Sequence, residues 1–169
     1  VTAAGNGSDD LAVEPFYPAG YDLPNVVSVA ATDSTDGLAW FSNYGTSIVH
    51  LAAPGDGIMS TVRWGKYDTF SGSSMAAAHV SGLAALYLSK TPNVPPDKLK
   101  TLLIHTSTPM TSLSDRVVSN GLVHAPSFIA ASAIPPAPPE DFDLQAGVMN
   151  DFALQWTPNE ELELGFYRI

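Results

Sequence analysis

The chain has 169 residues, no cysteine and 45% hydrophobic residues, enough apolar material for a packed core and too much for a disordered segment. Seven Lys and Arg against 17 Asp and Glu give a net charge of −10, which disfavours nucleic acid and anionic membranes as partners and leaves no basic stripe to follow phosphates. The absence of cysteine excludes a disulfide framework and a thiolate zinc site, without assigning a compartment.

The opening Val1-Thr2-Ala3-Ala4-Gly5-Asn6 lacks the charged-then-apolar layout of a signal peptide and reads as a start inside a domain. Residues 25–31 are apolar and β-branched and predict a central strand. Residues 47–51 and 57–61 predict two more, separated by the turn Ala53-Pro54-Gly55-Asp56-Gly57. A first helix is expected from about Ser74 to Lys90, where Thr91-Pro92 supplies the breaker. Its residues Ala76, Ala77, Ala78, Val80, Gly82, Leu83, Ala84, Ala85 and Leu86 leave almost no polar side, which predicts an enclosed helix. The apolar run 75–88 is broken by His79, Ser81 and Gly82 and is too short to cross a bilayer. A second helix follows Pro95-Pro96, with Leu99, Leu102 and Leu103 on one face, and ends before Thr108-Pro109. Strand-length segments alternating with helices point to an α/β layer architecture around a parallel sheet. After Ser132, residues 133–141 carry Pro135, Pro136, Pro138 and Pro139 and read as a stiff linker. Residues 142–169 change character: Phe152, Leu154 and Trp156 alternate along a strand, and Thr157-Pro158-Asn159 is a turn signal.

The chemistry lies in residues 70–82. Gly72 allows close approach to a helix start, and Ser74 falls at the positive end of that helix beside free backbone N–H groups, a place that favours developing negative charge. An acyl-transfer nucleophile needs this environment for its tetrahedral oxyanion. The plainer reading is that Ser73 or Ser74 caps the helix. Asn6, likewise, reads either as a turn residue after Gly5 or as an amide donor. The run Gly72-Ser73-Ser74-Met75-Ala76 approaches the Gly-x-Ser-x-Gly elbow of serine esterases, but that fold expects an acid and a histidine after the serine and a strand elbow before it.

Residues 72–80 resemble the nucleophile motif Gly-Thr-Ser-Met-Ala-Ser/Thr-Pro-His-Val of the subtilisin-like serine proteases, with Ser73 in the Thr place and Ala78 in the Pro place. Residues 1–6 resemble the family strand that ends in the oxyanion-hole asparagine. Between them the segments 16–19, 25–33, 41–45 and 51–55 are similar to subtilase text in the same order, and residues 120–125 resemble a final Gly-x-Val-Asn-Ala turn with His124 in the Asn place. The resemblance covers residues 1–132.

It implies an α/β fold: the C-terminal portion of a subtilisin-like doubly wound parallel sheet with helices on both faces. It implies a secreted serine endopeptidase acting on polypeptide substrates, with Ser74 as nucleophile and Asn6 as oxyanion donor. Ala3, Ala4 and Gly5 would form one wall of the primary specificity pocket, and Phe16 would shorten it from the floor. The family order Asp, His, Ser puts the other two triad members in a missing N-terminal part of the catalytic domain, so this piece alone is expected to be inert. His50, His79, His105 and His124 do not fit as general base. No cofactor is implied for catalysis. Structural calcium is common in the family, but the loop 45–48 lacks carboxylates and Asp9, Asp10 and Asp22 have no ligand spacing, so no metal is assigned. Residues 142–169 resemble the opening strands of a fibronectin type III module, through Trp156 and Gly165-Phe166-Tyr167-Arg168-Ile169, and form an incomplete β-sandwich-like tail. A non-catalytic secreted scaffold built on a degenerate protease domain is the alternative of a different class.

Overall fold

The computed structural model describes residues 1–131 and the backbone of two further strands. The chain divides into two compact units, Val1–Ala133 and Ile134–Ile169. In the first, strands β1 (Thr2–Ala3), β2 (Ser28–Thr32), β3 (Leu51–Pro54), β6 (Thr108–Pro109) and β7 (Gly121–Leu122) form one sheet in the order β1-β2-β3-β7-β6. All pairings are parallel except β6 with β7. The register Val29↔Leu51, Ala30↔Ala52 and Ala31↔Ala53 stacks small and branched residues side by side, and all five residues of β2 are buried. That is the pattern of a parallel strand covered on both faces.

Helices α1 (Ser73–Lys90), α2 (Pro96–His105) and α3 (Ala125–Ala130) cover one of those faces. Ala76, Val80 and Tyr87 of α1, Leu102 and Leu103 of α2 and Phe128 of α3 pack onto Val29, Ala31, Leu51 and Ala53. Tyr87 and Phe128 meet with ring centroids 4.7 Å apart. The other face carries Ala30, Val49 and Ala52 and is closed by Ala4, Leu11 and Ala19 from the first loops and by Leu113 and Val117 from the segment between β6 and β7.

Three expectations need correction. The strand expected at 47–51 begins at Leu51 and runs to Pro54, through residues assigned to a turn. Its interior is Leu-Ala-Ala, whose weak strand propensity hid it, whereas the β-branched Ile48 and Val49 precede the pairing. The strand expected at 57–61 is β4 (Ile58–Val62), which stands outside the main sheet and pairs antiparallel with β5 (Lys66–Phe70) in a separate hairpin. Helix α1, expected to be enclosed, is buried along one side only within this chain. Ser73, Ala76, Val80, Ala84 and Tyr87 are buried, but Ala78, Gly82, Ala85 and Leu86 face outward among the described residues. The lack of polar residues on that side removed the cue that would have marked a face.

In the second unit β8 (Glu140–Ala146) pairs antiparallel with β9 (Phe152–Thr157), with an irregularity between Glu140 and Asp143. The proline-rich stretch up to residue 139 and the segment Gly165-Phe166-Tyr167-Arg168-Ile169 lie outside the described residues.

Candidate active site

Helix α1 begins at the carboxyl end of the sheet, where the turn 70–74 meets β2 and β3. Gly55, just after β3, donates its N–H to Thr32 O at 3.0 Å and accepts from Gly72 N–H at 2.8 Å. A Cβ at Gly55 would lie 2.5 Å from Ala31 Cβ and 2.9 Å from Gly72 O, so only glycine lets the turn seat this closely. At the outer side Ser71 Oγ donates to Asp56 Oδ1 at 2.5 Å and accepts from Gly57 N–H at 3.0 Å.

The two serines at the helix start have opposite environments. Ser73 is fully buried. Its hydroxyl accepts from Gly5 N–H at 3.0 Å and has Asn6 Oδ1 at 2.8 Å and Gly5 O at 3.1 Å as acceptors for its single proton. Its backbone N–H also donates to Asn6 Oδ1, at 2.9 Å. Ser74 is exposed, and neither its hydroxyl nor its N–H has a partner among the described residues. Neither serine caps the helix: the N-cap is Gly72, which leaves the Ser74 N–H as one of the unpaired first-turn donors at the positive end of the dipole.

Asn6 and Ser74, 68 residues apart in sequence, converge. Oδ1 of Asn6 is held by Ser73, so its amide nitrogen faces the space in front of Gly72. A Cβ built on Gly72 would sit 3.3 Å from Asn6 Nδ2 and 3.8 Å from Ser74 N. Two N–H donors thus border one small volume beside an exposed hydroxyl, the arrangement an oxyanion requires. Met75 Sδ lies 3.6 Å from the same point.

The turn that carries Asn6 is built from β1 and from Asn43. Gly5 sits at φ +108, and a Cβ there would lie 2.4 Å from Asn43 Nδ2. Asn43 is buried; its Oδ1 accepts from Gly7 N–H at 2.7 Å and Asp9 N–H at 3.0 Å, and its Nδ2 donates to Ala4 O at 3.1 Å. Sequence reasoning offered Ser73 only as a helix cap or as the Thr place of the motif, and gave no role to Asn43. The signals were present, in the paired serines and in the segment Phe41-Ser42-Asn43-Tyr44-Gly45, but each role depends on a contact across more than 30 residues.

Of the remaining site residues, Phe16 is exposed, and its Cδ1 would be 3.1 Å from a Cβ at Gly5, so ring and glycine border the same space. Ala3 is half-buried in β1, whereas the Ala4 side chain belongs to the core on the loop-covered face. Among the described residues no histidine touches Ser74. His79 is exposed, with Nδ1 3.0 Å from Met75 O. His124 caps α3 through Ser127, and His105 ends α2. His50 is buried, and its Nδ1 accepts from Ser28 N–H at 2.9 Å. Burial, then the Lys100 charge, push its pKa down to about 4 against the opposing pull of Asp22. Asp10 Oδ1 accepts from Ala12 N–H at 3.0 Å, closing its own turn. No group of three His, Asp or Glu among the described residues gathers around a common point suited to a metal.

A family model described as the subtilase family matches residues 1–125. Thermitase of Thermoactinomyces vulgaris is 46% identical over 90 residues, covering 53% of this chain and 30% of that protein. The extracellular basic protease of Dichelobacter nodosus is 36% identical over 163 residues, covering 87% of this chain and 26% of that one. Among solved structures, a cold adapted subtilisin-like serine proteinase superposes with a TM-score of 0.65 at 39% identity, covering 73% of this chain and 43% of its own. The chain therefore spans less than half the length of each of these relatives.

Proposed function

This chain belongs to the subtilase family, and from that premise we propose that it carries the nucleophile and the oxyanion donors of a secreted serine endopeptidase. The observation that carries the reading is the convergence of the Asn6 amide and the Ser74 N–H beside the exposed Ser74 hydroxyl.

In the reaction Ser74 Oγ attacks the carbonyl carbon of a polypeptide bond, and its proton passes to a histidine contributed by residues outside this chain. The carbonyl oxygen takes up the negative charge and is met by Ser74 N–H and Asn6 Nδ2. Collapse of the tetrahedral intermediate expels the amine, which receives the proton, and leaves an acyl ester on Ser74. Water then attacks that ester by the same steps in reverse order of proton movement, releasing the acid and regenerating the hydroxyl. Ser74 without its base is a weak nucleophile, so the piece alone is inert. The share of each relative that the chain spans supports this division.

Phe16, bordering the same space as Gly5, would shorten the primary specificity pocket, with Ala3, Gly5 and the backbone of Ala4 as one wall. Secretion is supported by relatives named as extracellular proteases, and no helix among the described residues is long and apolar enough to cross a membrane. The tail from residue 142 opens a fibronectin type III-like module, for which the β8–β9 hairpin supplies two strands.

The test is a fluorophosphonate probe on the full-length parent. Labelling is expected to vanish in Ser74→Ala and to be absent from this chain alone. Persistent labelling of the Ser74→Ala parent would remove Ser74 from the mechanism.

A further inference from the structure

The hairpin of β4 and β5 stands outside the main sheet and is exposed along most of its length. All five residues of β5 are exposed, and each strand has a single partner, so β5 keeps an open edge. Pairing of Thr61 with Tyr67 and of Met59 with Thr69 puts these four residues on one uncharged face. Met59 and Tyr67 on that face are each 71% exposed. At the tip the loop Arg63-Trp64-Gly65 turns with Trp64 at φ 63 and Gly65 at φ 66. A left-handed tryptophan is disfavoured where Asn or Gly would fit without strain, yet here it holds the indole 75% exposed with the Arg63 guanidinium 5.6 Å above its ring.

The charge of the tip is opposite to that of the chain. Arg63 and Lys66 are two of only seven basic residues, set against 17 acidic ones. An exposed strand edge is a template for an extended polypeptide, and exposed Met, Tyr and Trp side chains receive its apolar residues. Arg63 at the tip and Lys66 on the opposite face of the hairpin, where Asp68 is its neighbour along β5, put a positive charge at the tip end that selects acidic residues there. The hairpin is also fixed relative to Ser74. β5 runs directly into the nucleophile turn, and the Ser71 bonds to Asp56 and Gly57 clamp its base.

We propose that this hairpin is a docking arm for the substrate itself, receiving an extended, acidic and apolar polypeptide segment remote from the bond that is cut. This rests on the peptidase reading above. At about 3.3 Å per residue the strand from Phe70 to Lys66 covers about 13 Å, and the loop extends it further. An extended substrate lying along it therefore meets the tip about five or six residues from the scissile bond.

The test measures binding of fluorescein-labelled short peptides to the full chain by anisotropy, one peptide pairing Glu with Leu and Phe, the other carrying Lys in place of Glu. The acidic peptide is expected to bind, and the Lys peptide to bind about tenfold more weakly or not at all. The double variant R63E/K66E is expected to weaken the acidic peptide at least about tenfold, with affinity falling as salt rises, and Trp64→Ser to weaken it independently of salt. Equal binding of the two peptides, or unchanged affinity in R63E/K66E, overturns the arm. So does self-association in sedimentation that Trp64→Ser abolishes while peptide binding is absent, because a second copy would then occupy the face. In the full-length parent, anilide substrates too short to reach the tip should be cleaved equally by wild type and R63E/K66E, while long acidic substrates lose about tenfold in kcat/KM in the variant. Failure of the wild-type parent to cleave the short anilides would refute the peptidase reading and leave the binding result to judge the arm.

Discussion

The backbone N–H and the hydroxyl of Ser73 converge on a single atom, Oδ1 of Asn6, at 2.9 and 2.8 Å. An amide oxygen engaged twice cannot rotate away cheaply, so its NH2 group is held toward Ser74. Replacing Ser73 by Ala removes one of the two bonds and leaves Gly5 N–H without its acceptor. In the full-length parent kcat is expected to fall about tenfold with KM little changed, and Thr in place of Ser should restore most of it. A fall in KM and kcat alike that Thr does not rescue would mean the hydroxyl serves stability alone.

Gly72 is needed for the room it leaves. A methyl there would stand 3.3 Å from Asn6 Nδ2 and 3.8 Å from Ser74 N, inside the volume proposed for the oxyanion. Gly72→Ala should cost about 10²–10³ in kcat, the scale reported for loss of one such donor in subtilisin rather than a figure deduced from this geometry. Its melting temperature should stay close to wild type, and a variant that is cold and inactive because it has unfolded would show up at once in that measurement.

Asn43, buried in the loop after Phe41 and Ser42, ties three backbone groups of the Asn6 turn together. Asn43→Leu would strand the N–H groups of Gly7 and Asp9 and the carbonyl of Ala4. The Ala4 carbonyl is buried and costs about 1–3 kcal/mol unpaired, while the N–H groups of the exposed Gly7 and Asp9 cost less because water reaches them, so stability from urea unfolding should drop by about 1–3 kcal/mol. Unchanged unfolding in this variant would show that solvent replaces all three bonds.

His50 makes the fold sensitive to acid. Its imidazole titrates at about 4 when folded and near 6.5 when unfolded, so above pH 6.5 both states are neutral and the full stability is present. As pH falls from 6.5 to 4 the unfolded chain binds the proton first and stability is lost; below 4 both states are charged and the loss levels off. Protonation at Nδ1 also removes the acceptor of Ser28 N–H. The loss is roughly 1–3 kcal/mol after allowance for solvent at the pocket formed by Gly20, Tyr21, Asp22, Ser47 and Ile48. Urea unfolding at a series of pH values should steepen in wild type and flatten in His50→Gln, which keeps an acceptor.

Met75 lies beside the proposed oxyanion space, with Sδ 3.6 Å from where a methyl on Gly72 would stand. Its sulfoxide would place a polar oxygen next to Ser74. Mild peroxide should inactivate the parent, and Met75→Leu should survive the same treatment; equal losses in both would assign the damage elsewhere.

What the sequence disclosed, it disclosed locally. The start and end of α1 followed from glycine, serine and a Thr-Pro breaker, and the strand at β2 from its β-branched run. The meeting of Asn6 with the helix start was legible only through resemblance, because no local pattern encodes a contact across 67 residues. Strand β3 escaped because alanines carry no strand signature, although between two packed layers their small size is what the spacing demands. The roles of Ser73 and Asn43 were hidden for a related reason: a buried hydroxyl and a loop amide look alike in sequence, and only burial distinguishes them from surface residues.

The contact of Gly72 with Gly55, itself hung from Thr32, ties the turn that carries Ser74 to the ends of two interior strands. Loosening of the catalytic turn then cannot run ahead of the sheet. Loss of activity on heating should coincide with melting of β2 and β3, so durability at high temperature would have to be engineered in the body of the domain, away from the cleft.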